Sequence, residues 1–405
     1  MSENPFTFLL IATFFKGMDF IRACKAAGNT VLVITKKSLE HDPWPREAID
    51  EMFYVEHDAN TPENYQIIRE GLAYVMRSRK IDRIVSLDDF DVEKGAFLRE
   101  EFRIPGMGQT TARYFRDKLA MRIRAAEAGI PIPPFSALFN DADIHAYIQQ
   151  VTPPWVVKPR TEASAIGIRK VHSTEELWNI LGQLGPARHN FLIEQFKPGD
   201  VYHADSLIVD RQVKFCRVSK YVNTPFEVAH GGGIFRTATV EFGGEEDQAL
   251  QQLNQQVLEA FGMLFSASHT EFIRAHEDGQ YYFLETSSRV GGAHIAEMVE
   301  ASSGINLWKE WAYIEDAKAK GKHYEVPAWR NDHAGIIVSL ARFQHPDDSA
   351  FKDPEIVWRL RKDHHVGLIV QSADRARVLA LLDNYANRIA QDFHASAPPK
   401  DHATN

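Results

Sequence analysis

Cysteine is scarce in this chain. Its two residues, Cys24 and Cys216, stand far apart among 405 and form no CxxC pair. They offer neither a disulfide framework nor a thiolate zinc site, and they suit a reducing compartment. Long apolar runs are missing as well. The stretch 6–15 is too short to span a bilayer and carries no basic leader or small-residue cleavage site, so it reads as a first buried strand. No other run is a membrane-helix candidate, and a cytoplasmic protein without a membrane partner is expected. Positive charge is in deficit, with 46 Lys and Arg against 55 Asp and Glu, a net charge of −9. That sign argues against nucleic acid as a partner, so any anionic ligand must be met by a few placed cations. Two phosphate fingerprints are absent too. The first strand-to-helix turn, Thr13-Phe14-Phe15-Lys16-Gly17, is not GxGxxG, and GxxxxGK[ST] occurs nowhere.

The length and the 44% hydrophobic content are enough for two or three packed domains. Residues 6–12, 17–27 and 30–35 read as strand, helix and strand, a βαβ unit that demands a parallel sheet. A further strand at 81–87 and a helix at 92–102 complete an N-terminal α/β domain, residues 1–115. The run Asp88-Asp89-Phe90-Asp91 offers a metal site or a helix cap, and capping is the commoner use of Asp there. Asp117-Lys118 opens a helix that Gly129 closes, and Ile130-Pro131-Ile132-Pro133-Pro134 must be extended. Short strands at 155–158 and 191–196 mark a small α/β unit over 116–198. Strands at 202–209 and 212–218 around an Asp210-Arg211 turn, a helix at 248–261 and a hairpin at 268–287 make a core over 199–320. A smaller C-terminal α/β part, 321–393, and a disordered tail from 394 complete the expected organisation.

The hairpin carries the most chemistry. A three-residue loop Glu277-Asp278-Gly279 puts glycine at the left-handed position, sets His276 opposite Gln280 and brings Glu271 opposite Glu285. A two-residue Asp-Gly loop would place the two glutamates on opposite faces, and the sequence leaves both registers open. In the first register His269, Glu271, Glu285, Ser287 and, beyond them, Arg289 share one face. Two carboxylates about 5 Å apart at an effective dielectric of about 20 repel by about 3 kcal/mol. A cation would offset that, and hard oxygen ligands suit Mg²⁺, with Mn²⁺ as an alternative ion. Taken alone, a hairpin with two solvated glutamates is the commoner outcome.

Cations elsewhere shift that weighing. Lys158 ends the strand Trp155-Val156-Val157-Lys158, and the loop after it contains Ser164 and Gly167, whose hydroxyl and backbone N–H groups suit phosphate. Arg116-Asp117-Lys118-Leu119, Val157-Lys158-Pro159-Arg160 with Ser164-Ala165-Ile166-Gly167-Ile168, Ile193-Glu194-Gln195-Phe196, and His269-Thr270-Glu271-Phe272 with Leu284-Glu285-Thr286-Ser287-Ser288-Arg289 follow one another in order. Through these stretches residues 1–310 resemble the ATP-grasp superfamily, and within it the carboxylate–amine ligases that make dipeptides and related natural products. The resemblance implies a mixed α/β and α+β fold: a parallel-sheet N-terminal domain, a small lid subdomain at 116–198 and an antiparallel-sheet core with the metal site.

The same resemblance implies ATP and Mg²⁺. Lys118 and Lys158 would contact the nucleotide, and the loop with Ser164, Ile166 and Gly167 would cover its phosphates. Glu194, Gln195 and Phe196 would line the adenine pocket. Glu271, Glu285 and position 287 would hold one or two metal ions, and Arg289 would steady the transferred phosphoryl group. The chain departs from the family at Ser287, commonly Asn, and at Val201, commonly the ribose-binding Glu, a role left to Asp200 or His203. Two glycine-rich stretches are candidate substrate contacts: His230 and Arg236 in one, Gly291 and Gly292 in the other. The implied activity joins a small-molecule carboxylate to an amine through an acyl phosphate, with ADP and phosphate released. A carboxylase or nucleotide-precursor ligase and a non-catalytic ATP-binding module are the alternatives, and a homodimer is compatible with the resemblance.

Overall fold

The computed structural model describes residues 5–56, 61–163 and 166–396, without the side chains of residues 62 and 229–231. The N-terminal strands are β1 (Thr7–Ile11), β2 (Thr30–Lys36), β3 (Glu51–Val55) and β4 (Arg83–Ser86), in the order β3-β2-β1-β4 with every pair parallel. Helices α1 (Met18–Ala26), α2 (Pro62–Val75) and α3 (Val92–Glu101) connect or follow them. A parallel sheet covered on both faces needs apolar residues at every strand position. Phe8 and Leu10 accordingly face one core with Phe20 and Ile21 of α1, while Leu9 and Ile11 face another with Ile68, Leu72 and Leu98.

After α4 (Gln109–Arg113), helix α5 (Lys118–Glu127) starts at Asp117, whose carboxylate accepts the Leu119 N–H at 2.9 Å. A small antiparallel sheet follows. It comprises β5 (Phe135–Ala137), β6 (Trp155–Pro159), β7 (Arg169–Val171) and β8 (Phe191–Gln195) in the order β5-β8-β6-β7. Helices α6 (Asp141–Gln150) and α7 (Thr174–Leu184) cover it, with Ile144, Trp155, Leu177 and Ile193 in its core.

The remaining strands form one eight-stranded antiparallel sheet. They are β9 (Gly199–Val209), β10 (Gln212–Tyr221), β11 (Phe235–Thr239), β12 (Ser266–Ala275), β13 (Tyr281–Ser287), β14 (His333–Leu340), β15 (Ile356–Arg359) and β16 (His365–Ser372), ordered β13-β12-β9-β10-β11-β14-β16-β15. Asp210 and Arg211, both at positive φ, turn β9 into β10 as the sequence suggests. The helices here are α8 (Pro225–Gly231), α9 (Glu245–Ala260), α10 (Ile295–Ser303), α11 (Leu307–Ala319) and α12 (Arg375–Asp392). The expected C-terminal α/β part has no sheet of its own, because β14, β16 and β15 continue the large sheet through the β11–β14 pairing. Residues 397–405 of the expected disordered tail lie outside the described residues, and His394 bridges Ala341. No helix among the described residues is long and apolar enough to cross a membrane.

Helix α11 joins the N-terminal sheet to this core. Trp311 packs edge-on against Phe20 at 5.0 Å, Asn29 donates to Asp316 at 2.7 Å and buried Arg83 pairs with Glu315. The two hairpin-bearing strands approach closely at Gly199, where a Cβ would meet the Arg274 carbonyl oxygen at 2.3 Å. Backbone cannot yield as a flexible side chain does. Gly199→Ala is expected to destabilise the fold by about 1–3 kcal/mol, read as a lower denaturant midpoint at unchanged slope.

Candidate active site at the meeting of the small and large sheets

Glu271 does face Glu285, but the loop expected from the sequence is not the reason. Near the turn Arg274 pairs with Tyr281, and Ala275 N–H donates to the Gln280 carbonyl at 2.9 Å, so the loop comprises four residues, 276–279. Gly279 takes the left-handed conformation, at φ 70. That register would put Glu271 opposite Leu284. A β-bulge between Glu271 and Phe272 absorbs one residue of β13, and beyond it Glu271 pairs with Glu285 and His269 with Ser287. Arg122 in α5 supports the bulge. Its Nη1 donates to the Leu284 carbonyl at 2.6 Å, and its Nε donates to Glu194 Oε2 at 2.9 Å.

These strands border a cavity of about 820 Å³ that also opens onto β6, β8 and residues 115–121. Within it most ionised groups have opposite partners. Lys118 Nζ lies 2.8 Å from Glu285 Oε2 and donates to the Glu162 carbonyl at 2.7 Å. Lys158 pairs with Glu194, which Arg122 also holds. Arg289 pairs with Asp89, its Nε donating at 2.9 Å. Burial pushes the Lys158 ammonium down to about 8, with Arg122 and Lys118 assisting against the pull of Glu194. Burial would raise Glu285, yet Lys118 and Lys158 hold it below the usual carboxylate value. Burial would likewise raise Asp89, but Arg289 and Arg116 hold it down at about 2.

Lys118, Lys158, Glu194, Gln195, Phe196 and Ile166 line this cavity. So do Glu271, Glu285, Ser287, Arg289, Gly292 and Val201. Gly167 sits at φ +71 beside Pro159, and Ser164 lies outside the described residues. Other candidates are placed elsewhere. His203, fully buried, bonds Asp205 and Thr237, so neither ring nitrogen is left for a ribose. Asp200 pairs with Lys220 at 2.8 Å and does not line the cavity. Arg236 lies in β11 and pairs with Asp383 of α12 at 2.7 Å, which removes it from a substrate carboxylate. His230 belongs to the last turn of α8, so the glycine-rich loop is shorter than expected; its side chain is outside the described set.

The acidic run at 88–91 divides its labour. Asp88 caps a short turn by accepting the Phe90 N–H at 3.0 Å, as expected of a cap. Asp91 instead pairs with Lys94 and accepts from Thr13, and Asp89 crosses to Arg289. Sequence reasoning misses Asp89, Arg122 and Tyr221. One signal for Arg122 was present: it follows Lys118 by four residues, which puts both on one face of α5. Asp89 and Arg289 are 200 residues apart and carry no such signal.

Beneath Glu271 lies a buried polar network. Asp205 accepts from His203 at 2.6 Å and from His269 at 2.8 Å, one oxygen to each. His269 Nε2 lies 3.6 Å from Glu271 Oε1, and Tyr221 OH donates to the same oxygen at 2.8 Å. Gly291 covers the network so closely that a Cβ would come within 2.9 Å of both Asp205 Oδ1 and His269 Nδ1. Its role here is steric fit against these side chains. Among the described residues, His203, Asp205 and His269 are the one group of three or more His, Cys or carboxylate side chains close enough to share an ion, but their short mutual hydrogen bonds occupy the facing atoms.

The donor set fits a hard divalent cation at the other carboxylates. Glu271 and Glu285 are cross-strand partners that both line the cavity, and the Ser287 hydroxyl beside them makes no hydrogen bond among the described residues. Oxygen donors alone, with room for water or phosphate oxygens, match Mg²⁺.

Known proteins are similar to this chain in sequence and in fold. A family model described as the D-ala D-ala ligase C-terminus matches residues 125–207. The chain is 28% identical over 250 residues to an L-arginine-specific L-amino acid ligase of Bacillus subtilis, covering 60% of each chain. It is 25% identical over 232 residues to a D-alanine–D-alanine ligase of Prosthecochloris aestuarii, covering 52% of this chain and 62% of that one. The matches thus span about 60% of the length of these relatives. The crystal structure of an L-amino acid ligase from Bacillus licheniformis superposes with a TM-score of 0.73 at 17% identity, over 98% of this chain and 100% of that one. An N5-carboxyaminoimidazole synthetase from Staphylococcus aureus, complexed with ADP, gives 0.71 at 15% identity, over 95% and 98%.

The Asp205 network predicts a pH signature. Burial opposes protonation of His269, but Asp205 and Glu271 override it and raise the imidazole from 6.5 to about 10. A pKa raised on folding contributes stability that is complete below about 6.5 and is lost as pH climbs toward about 10. Metal-free protein should therefore lose stability over that interval, measured as denaturant midpoints. Asp205→Asn should cost roughly 3 kcal/mol or more at neutral pH and flatten the loss.

Proposed function

We propose that this chain, which has the ATP-grasp fold of the solved structures it resembles, is an ATP-dependent carbon–nitrogen ligase. The reaction activates a small-molecule carboxylate as an acyl phosphate and passes it to an amine, with ADP and phosphate as products. The observation that carries this reading is the convergence of Lys118, Lys158, Glu271, Glu285 and Arg289 on one cavity. A carboxylate is a poor electrophile, and phosphorylation supplies the leaving group that an amine can displace. Likeness to the L-arginine-specific ligase and to the D-alanine–D-alanine ligase favours amino acids as both partners.

In this reading Lys118 and Lys158 exchange their present carboxylate partners for nucleotide phosphates. Glu194, Gln195 and Phe196 edge the adenine, with Val156 and Ile166 supplying apolar surface. Glu271, Glu285 and Ser287 hold Mg²⁺, which when bound neutralises charge on the nucleotide phosphates. Arg289, steadied by Asp89, faces the phosphoryl group in transfer. The small sheet bears Lys158 and the loop after it, so its closure over the cavity would exclude the water that hydrolyses an acyl phosphate. No single side chain is required as nucleophile; positioning and charge stabilisation supply most of the acceleration.

A second reading, a carboxylase or a ligase of nucleotide precursors, draws on the likeness to the carboxyaminoimidazole synthetase. Both readings meet one experiment: phosphate release from ATP, screened across acid and amine pairs with bicarbonate among the acids. The ligase reading expects release only when an amino acid pair is present. Release that needs bicarbonate favours the second reading, and release independent of any amine contradicts both. Glu285→Ala should fold, by circular dichroism, and lose roughly a hundredfold or more in turnover; unchanged turnover would remove the metal assignment.

A further inference from the structure

One cation on the cavity wall enters no ion pair, although Asp89 lies within reach of its charge. Arg116 is 7% exposed and lines the cavity. Among the described residues its guanidinium enters no ion pair and no hydrogen bond, and the side-chain contact it makes is with the ring of Phe90, 4.4 Å from the centroid. Its neighbours are all engaged. Asp117, the adjacent carboxylate, is taken by Arg160, Glu285 by Lys118, and Asp89 by Arg289. Nothing about this Arg suggests slack. Asp117 caps α5, and Lys118 N–H donates to the Arg160 carbonyl at 2.8 Å, which pins the segment to the end of β6. The guanidinium lies over the Phe90 ring, and the residue borders the cavity.

No guanidinium nitrogen of Arg116 is among the fully buried atoms without a partner, so its unbonded donors keep contact with the cavity, where an oxyanion that arrives can take them. The two lysines proposed for the nucleotide stand on other walls, Lys118 in α5 and Lys158 at the end of β6 on the small sheet. Arg116 packs instead on Phe90 of the N-terminal part, where Asp89 carries a buried Oδ1 with no partner. The flat fork of a guanidinium matches a carboxylate through two parallel hydrogen bonds. We infer that Arg116 is the receptor for the carboxylate of an amino acid substrate. This rests on the ligase reading above for the substrate class.

The test is a binding measurement that needs no turnover. The full chain, Arg116→Ala and Arg116→Lys are each saturated with Mg²⁺ and a non-hydrolysable ATP analogue, then titrated with the common L-amino acids while thermal unfolding is followed. The expected result is that at least one amino acid stabilises the parent chain. Its dissociation constant should rise roughly tenfold or more in Arg116→Ala, the loss expected for a charge-assisted contact, and less in Arg116→Lys. Affinity for the analogue alone should be unchanged. Three results would overturn the inference: no amino acid stabilises the parent chain, Arg116→Ala binds as tightly as the parent, or the variant loses the analogue instead. If Arg116→Ala does not fold, Arg116→Lys decides, because loss of the fork alone must weaken amino acid binding. Amino acid binding through Arg116 with no phosphate release from any pair would remove the ligase reading and leave this receptor standing.

Discussion

Glu194 is a carboxylate taken out of water, and the site is organised around the two cations that make its burial tolerable. Lys158 comes to it from β6 and Arg122 from α5. An unpaired carboxylate at that depth would cost several kcal/mol, so Arg122 must stay on Glu194 if Lys158 turns to a ligand. Arg122 has a second duty. Its other donor reaches the Leu284 carbonyl at the bulge that brings Glu285 opposite Glu271. One buried ion pair thus ties the small sheet to α5, and α5 to the strand that carries the acidic pair.

Charge balance extends the same logic across the cavity. Lys118 lies against Glu285 and Arg289 against Asp89. Pairs of this kind keep the cavity near neutrality while it holds no ligand, and each cation is pre-placed for a phosphate or carboxylate that competes with its protein partner. Asp205 serves the strand that carries Glu271 from behind. It fixes His203 and His269, and His269 with Tyr221 orients Glu271. Rigid placement by packed neighbours is what a site acting mainly by positioning requires.

Much of this was legible in the chain. Alternation and turn residues give many of the elements within about three residues, although β3, α2, α6, α7, β11 and β15 go unread, and the order of the cationic and acidic motifs implies the fold. What was not legible depends on contacts between distant segments. The facing of Glu271 and Glu285 could be read from the turn, but the turn is one residue longer and a bulge restores the register; a bulge leaves no mark in the sequence here. Asp200, His203 and Arg236 looked available because each is polar and near a motif. The fold gives them Lys220, Asp205 with Thr237, and Asp383 as partners, which no local pattern reveals. The strands at 333–372 read as a small unit of their own because their pairing with β11 spans about a hundred residues.

The central claim is that a carboxylate oxygen is phosphorylated in this cavity before the amine attacks. The direct measurement uses an amino acid substrate labelled with ¹⁸O in its carboxylate, followed by mass analysis of the phosphate released. The account predicts that one labelled oxygen is transferred to each phosphate. Phosphate that carries no label from the acid, and takes its new oxygen from solvent water, would contradict it.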